Sequence, residues 1–143
     1  YFETPLKYYM ADVGLRNARL NFRQIEENHI MENIIFNELK VRGYSVDVGV
    51  VESKETIDGK RKLKQLEIDF VANKSAKKYY IQSAYEMPTE EKLRQEKRSL
   101  IKVGDSFKKI VVVKDNIRPR IDEDGIVTMG LLNFLLDQKS LDL

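Results

Sequence analysis

Cysteine is absent from these 143 residues, and histidine occurs once, at His29. The first absence excludes disulfides, thiolate metal sites and a cysteine nucleophile, and it fits a cytoplasmic protein. The second excludes paired histidine ligands and disfavours a histidine-dependent triad, so His29 reads as a helix-face residue. No apolar run approaches the roughly 18 residues of a membrane span, and no basic start leads into an apolar secretory segment. A G-x-x-x-x-G-K-[ST] phosphate loop is also missing, so these residues are not expected to bind or hydrolyse ATP. Net charge is only +2, which gives no global field toward nucleic acid. The first residue is Tyr1 rather than Met, and Tyr1-Phe2-Glu3-Thr4-Pro5 reads as a segment entered mid-chain, so the expectation is a fragment of something longer.

What is present describes a folded domain. Hydrophobic residues make up 42% and charged residues 34%, in a chain long enough to bury a core, so residues 1–143 are expected to form one domain. The basic residues cluster: Lys60-Arg61-Lys62-Leu63-Lys64, then Lys74, Lys77 and Lys78, then Lys108, Lys109, Lys114, Arg118 and Arg120. Each group could touch phosphates, and each could equally be a solvated turn or strand end.

The pattern predicts a helix from Gln24 to Arg42, ended by Gly43, with Ile25, Ile35, Phe36 and Leu39 on one stripe and Glu26, Asn33, Asn37 and Lys40 elsewhere. Strands are predicted over Tyr44–Val51, Leu63–Ala72 and Lys78–Tyr85, with Asp58-Gly59 a hairpin signal and Asn73–Lys77 a polar turn. Pro88-Thr89-Glu90-Glu91 starts a helix that runs to about Lys102. Ile110-Val111-Val112-Val113 reads as a strand buried on both faces, followed by a brief strand Ile126–Met129 and a closing helix Leu131–Leu136. The Tyr8–Met10 stretch, with Gly14 beyond it, fits a strand or a connector equally. The order is that of an α/β domain around a mixed sheet.

Chemistry could sit in three places. Glu32 lies one turn from Ile35 and Phe36, beside the apolar stripe, where a carboxylate needs a partner. Alone, it reads best as an edge glutamate bonded to a strand. In Glu67-Ile68-Asp69-Phe70, alternation puts Leu66, Ile68 and Phe70 on one face and Glu67, Asp69 and Val71 on the other. Asp is depleted in strands, so Asp69 is informative. If the next turn centres between Ser75 and Ala76, Asp69 faces Gln82, with the Ser83 carbonyl near. Glu32 could then complete an oxygen site suited to Mg²⁺ or Mn²⁺. Tyr79, Tyr80 and Tyr85 could stack on bases, although packing is the commoner role at alternating strand positions.

Taken in order, Tyr8-Tyr9-Met10-Ala11-Asp12-Val13-Gly14-Leu15, Met31-Glu32-Asn33-Ile34-Ile35, Glu38-Leu39, Arg42-Gly43-Tyr44, Glu67-Ile68-Asp69-Phe70-Val71 and Tyr80-Ile81-Gln82 resemble a domain of unknown function. That domain occurs at the C-terminus of many bacterial and archaeal AAA+ superfamily ATPases, within the PD-(D/E)XK, restriction-endonuclease-like superfamily. The resemblance implies a restriction-endonuclease-like core of αβββαβ order, an ATPase module upstream, and Glu32, Asp69 and Gln82 as the nuclease positions, Glu32 and Asp69 holding the metal. The chain departs from the pattern where the third strand should carry acid-x-lysine. It reads Gln82-Ser83-Ala84, a neutral ligand and no lysine. Lys92 or Lys97 on the following helix is the candidate for a relocated lysine, while Glu96 and Asp105 fall where the family carries acids and default to capping or salt bridging.

Three readings follow: a live metal-dependent nuclease, an impaired one that binds DNA or RNA through Lys60, Arg61 and Lys62, or a protein-interaction or oligomerisation module of the ATPase. The second is preferred, on the fold-level analogy that such cores meet nucleic acid.

Overall fold

Two tight antiparallel turns and one helical crossover build the sheet. In the computed structural model, which describes residues 6–20, 26–86 and 89–143, strand β1 (Ser45–Ile57) turns at Asp58-Gly59 into β2 (Lys60–Lys74), which turns at Ser75-Ala76 into β3 (Lys77–Ala84). Asp58 and Gly59 both take positive φ, 51° and 73°, the conformation a two-residue hairpin of strand-matched twist requires. Helix α3 (Glu90–Lys102) then returns the chain, and β4 (Lys108–Val113) enters parallel to β3. Short β5 (Arg120–Ile121) and β6 (Val127–Gly130) complete a six-stranded mixed sheet in the order β1-β2-β3-β4-β6-β5. Helices α1 (Val13–Arg19), α2 (Glu27–Val41) and α4 (Leu131–Leu136) complete the α/β architecture, with a final 3₁₀ turn at Ser140–Asp142.

The sheet is packed on both faces. Met31, Ile35 and Leu39 of α2 and Phe134 of α4 bury one face against Phe70, Ile81, Ile110 and Val112. Leu100 of α3 buries the other against Ile68, Tyr80, Val111 and Val113. The four apolar residues of β4 therefore divide between two cores, as a doubly covered strand must, each contributing about 1.5–3 kcal/mol of burial. Thr89 caps α3, its Oγ1 accepting the Lys92 amide at 3.2 Å. Arg42, at the end of α2, lies over the Phe134 ring at 4.6 Å and donates to Ser140 Oγ at 3.0 Å, which ties α2 to the C-terminal segment. No helix among the described residues is long and apolar enough to cross a membrane.

The Tyr8–Met10 stretch, read as strand or connector, is a connector, and Val13–Arg19 beyond it form α1, capped by Asp12. Three expectations need correction. Asn33, expected off the buried stripe, is 2% exposed. The hairpin strands run far longer than their apolar cores suggested, since β1 and β2 pair from Ser45↔Asn73 to Ile57↔Lys60. The strict alternation around Asp69 also fails: Ile68 and Val71 pack toward α3, whereas Phe70 and Ala72 pack toward α2. The cause is a β-bulge, in which pairing jumps from Asp47↔Val71 to Gly49↔Ile68, so Asp69 and Phe70 together oppose Val48. The expected helix start at Gln24, Ile25 on its stripe, and Pro88 lie outside the described residues.

Candidate functional site: an acidic cleft closed on a lysine

The bulge aims Asp69. The β2–β3 ladder ends at Phe70↔Ile81, and beyond it side chains replace strand pairing. Asp69 donates its backbone N–H to Gln82 Oε1 at 3.2 Å, and its Oδ2 accepts the Ser83 amide at 2.8 Å. The side-by-side placement of Asp69 and Gln82 follows the turn at Ser75-Ala76, but Ser83 contributes its N–H to this contact rather than a carbonyl. Gln82 Nε2 reaches Glu96 Oε2 of α3 at 3.5 Å. Glu32 of α2, Asp69, Gln82 and Glu96 thus line one open cleft of about 690 Å³. Glu27 and Glu86 join them, and Lys92 is the one basic side chain in that lining among the described residues.

The remaining Asp69 oxygen, Oδ1, faces the N-terminal segment. There the Lys7 ammonium lies 2.8 Å from Asp69 Oδ1, 2.6 Å from Glu67 Oε1 and 3.6 Å from Glu32 Oε2. Tyr9 adds a hydroxyl that donates to Glu32 Oε2 at 3.4 Å. The segment is held on α2 by two amides one helical turn apart. Asn33 accepts the Met10 amide at 3.0 Å and donates to the Met10 carbonyl at 2.7 Å, and Asn37 donates to the same carbonyl at 3.0 Å. Tyr9 stacks on Phe36 with ring centroids 4.4 Å apart.

These contacts set the charge states. Burial alone would lower the pKa of Lys7, but the hydrogen bonds and charges of Asp69, Glu67 and Glu32 reverse that and hold it above the ordinary lysine value. Burial, and then the Asp69 charge, push the Glu32 carboxyl up against the opposing pull of Lys7. Burial likewise raises Glu96, with Gln82 opposing and Asp69 adding to the rise.

A divalent ion needs several free oxygen donors at one point. Among the described residues no three acidic or imidazole side chains converge as a metal-ligand group. The nearest acids, Glu32, Glu67 and Asp69, close on an ammonium, and the Gln82 amide oxygen is engaged by the Asp69 N–H. With Lys7 in place, the expected pair Glu32 and Asp69 does not fit a bound Mg²⁺ or Mn²⁺.

The two lysines considered for relocation separate. Lys92 lines the cleft, whereas Lys97 is buried away from it in an ion pair with Asp122 at 2.5 Å. Asp105 is a loop cap, accepting the Tyr80 hydroxyl at 2.5 Å and the Phe107 amide at 3.1 Å. Tyr79 and Tyr80 are buried, and Tyr85 takes a hydrogen bond from Lys114 at 2.7 Å. His29 pairs with Glu26 on the helix surface. Lys7 had no sequence signal of its own. The usable hint was Asn33 and Asn37, two amides at i, i+4 flanking an apolar stripe, a spacing able to clamp a passing backbone.

The basic groups also separate. Lys74 donates to the Arg42 carbonyl, Lys77 pairs with Asp142, Lys108 donates to the Leu141 carbonyl and Lys109 to that of Asp105. Lys60, Arg61 and Lys62 instead lie exposed at the tip of the β1–β2 ribbon, forming no ion pair among the described residues. Arg98 of α3 pairs with Glu55, whose cross-strand neighbour is Lys62. Arg94 and Lys102 lie with Arg98 along one shallow surface of α3.

No protein-family model matches the chain, and no solved structure matches it. It is 34% identical over 136 residues to an uncharacterized protein of Haemophilus influenzae. The match covers 95% of this chain and 30% of that relative, so the chain spans about a third of the relative's length.

Proposed function

We propose that this is a restriction-endonuclease-like domain, impaired as a nuclease, that binds nucleic acid and belongs to an AAA+ family ATPase. The carrying observation is the β1–β2 ribbon, which extends past β3 and exposes Lys60, Arg61 and Lys62 at its tip. A two-stranded ribbon is narrow enough to enter a nucleic-acid groove, and unpaired cations at its end meet phosphates. Arg98 of α3 pairs with Glu55, the cross-strand neighbour of Lys62, which sets α3 against the same ribbon. The helix–three-strand–helix–strand order and the gathering of Glu32, Asp69 and Gln82 support the nuclease-like core. Impairment is supported by Ala84 in place of the lysine and by the engagement of Asp69 and Gln82 within the protein. The acid lining of the cleft disfavours phosphate, which supports the ribbon over the cleft as the binding surface. In the ATPase reading, supported by the sequence resemblance, the partner would be an upstream module of the same chain.

Fluorescence anisotropy with duplex DNA, single-stranded DNA and RNA, across a salt series, tests this. Binding should weaken with salt, and the triple variant Lys60→Ala, Arg61→Ala, Lys62→Ala should lower the log–log salt slope by roughly 2–3. Plasmid cleavage with Mg²⁺ or Mn²⁺ that vanishes in Asp69→Ala would instead establish a live nuclease. Self-association or docking to an ATPase module, with no nucleic-acid binding, would favour the interaction module.

A further inference from the structure

We infer that Lys7 is the resident cation of the acid cluster, standing where a divalent ion would otherwise be bound, and that it straps the N-terminal segment across the site. Three observations carry this. The ammonium contacts Glu67 and Asp69 at 2.6 and 2.8 Å and Glu32 at 3.6 Å, so one positive charge faces three carboxylates on α2 and β2. Its position does not depend on its own flexible stem alone. Two residues along the segment, Tyr9 stacks on Phe36 and donates to Glu32, and three along, the Met10 backbone is clamped by Asn33 and Asn37. Finally, Asp69 has no oxygen left over, because Oδ1 accepts Lys7 and Oδ2 accepts Ser83. An ion could bind here only by displacing the ammonium, and displacement would leave a lysine partly buried without its partners.

The arrangement differs from a relocated catalytic lysine. A lysine that orients water beside a metal leaves the acids free to hold the ion, whereas Lys7 consumes them. It makes the site independent of metal and turns the cluster into the anchor of a strap. Removal of the ammonium should free the two carboxylates that converge on it most closely, Glu67 and Asp69, to take an oxygen-seeking cation.

The test uses the 143-residue chain with Mn²⁺ as the probe, followed by electron paramagnetic resonance and by thermal melts in EDTA and in Mn²⁺. The unsubstituted chain should melt identically in both, and Lys7→Met should bind Mn²⁺ roughly tenfold tighter or more, with a melting temperature that Mn²⁺ raises. The double variant Lys7→Met, Asp69→Asn should lose that gain. A folded Lys7→Met that gains no Mn²⁺ affinity, or an unsubstituted chain that binds Mn²⁺ as well as the variant, overturns the inference. Should Lys7→Met fail to fold, amine labelling of the unsubstituted chain decides. Lys7 should react more slowly than Lys60 with and without Mn²⁺, and acceleration of Lys7 labelling by Mn²⁺ would mean that metal displaces it.

Discussion

The Lys7 ammonium and the Asp69 carboxylate, 62 residues apart in the chain, meet at 2.8 Å where β2 bulges. Asp69 is 7% exposed, and its second oxygen holds the Ser83 amide. Asp69→Ala would strand both partners, so it should lower stability by about 2–4 kcal/mol in urea denaturation. Asp69→Asn, which keeps an acceptor, should cost less. Equal loss in both variants would mean that charge, rather than hydrogen bonding, does the holding.

Asn33 should matter as much as any core residue on α2. Both ends of its amide bond the Met10 backbone, and Asn33→Ala leaves the Met10 N–H without its acceptor while the Met10 carbonyl keeps Asn37, at a cost of about 1–3 kcal/mol. Limited proteolysis should then cut faster between Lys7 and α1. A nicking rate unchanged from the parent would show that Tyr9 stacking suffices to hold the strap.

Gly49 pairs with Ile68 at the edge of the bulge, where a side chain would crowd its neighbours. A Cβ there would come within 2.9 Å of Val71 Cγ2 and 3.0 Å of Ile68 Cβ. Gly49→Ala should therefore destabilise by about 1–3 kcal/mol through overpacking. Since the strain falls on residues beside Asp69, the variant should also quicken amine labelling of Lys7.

Glu96 and Asp122 should respond to pH in opposite directions. Burial raises the Glu96 pKa above its ordinary 4.5, so the unfolded chain ionises this group first. Stability is therefore lost as pH rises from 4.5 through the folded value. Glu96→Gln should gain relative to the parent across that window in denaturation curves. The Lys97 hydrogen bond and the Ile126 amide outweigh burial and hold Asp122 below its ordinary 3.8. Its contribution is present above 3.8 and lost as pH falls through the folded value, so the deficit of Asp122→Asn should shrink in acid. A pH-independent difference for either variant would contradict these assignments.

Replacing Lys60, Arg61 and Lys62 with Ala should leave the melting temperature almost unchanged, within about 0.5 kcal/mol, because all three side chains are exposed. A large loss would mean that the ribbon tip is held by its charges and would remove it as a free binding surface.

Much of the architecture was written locally. Asp58-Gly59 specifies its turn because both positions need positive φ. The run Ile110–Val113 specifies a doubly buried strand, and Thr89 with Glu90 and Glu91 marks where α3 begins. Even the facing of Asp69 and Gln82 was readable, because a two-residue turn at Ser75-Ala76 sets the register of both strands. The extent of the ribbon was harder to read, since its outer half is exposed and polar and carries no buried face to impose alternation. The tertiary structure alone decided the rest. The bulge at Asp69 is bordered by a glycine 20 positions earlier in the neighbouring strand, whose missing Cβ leaves room for Ile68 and Val71, and no periodicity within β2 can report that. Lys7 is a lone lysine in sequence, and it joins Glu32, Glu67 and Asp69 only once α2 packs on the sheet and clamps Met10. Turns and strands follow from short-range sterics and hydrophobic period, whereas a charge cluster exists only where separate elements bring its members together.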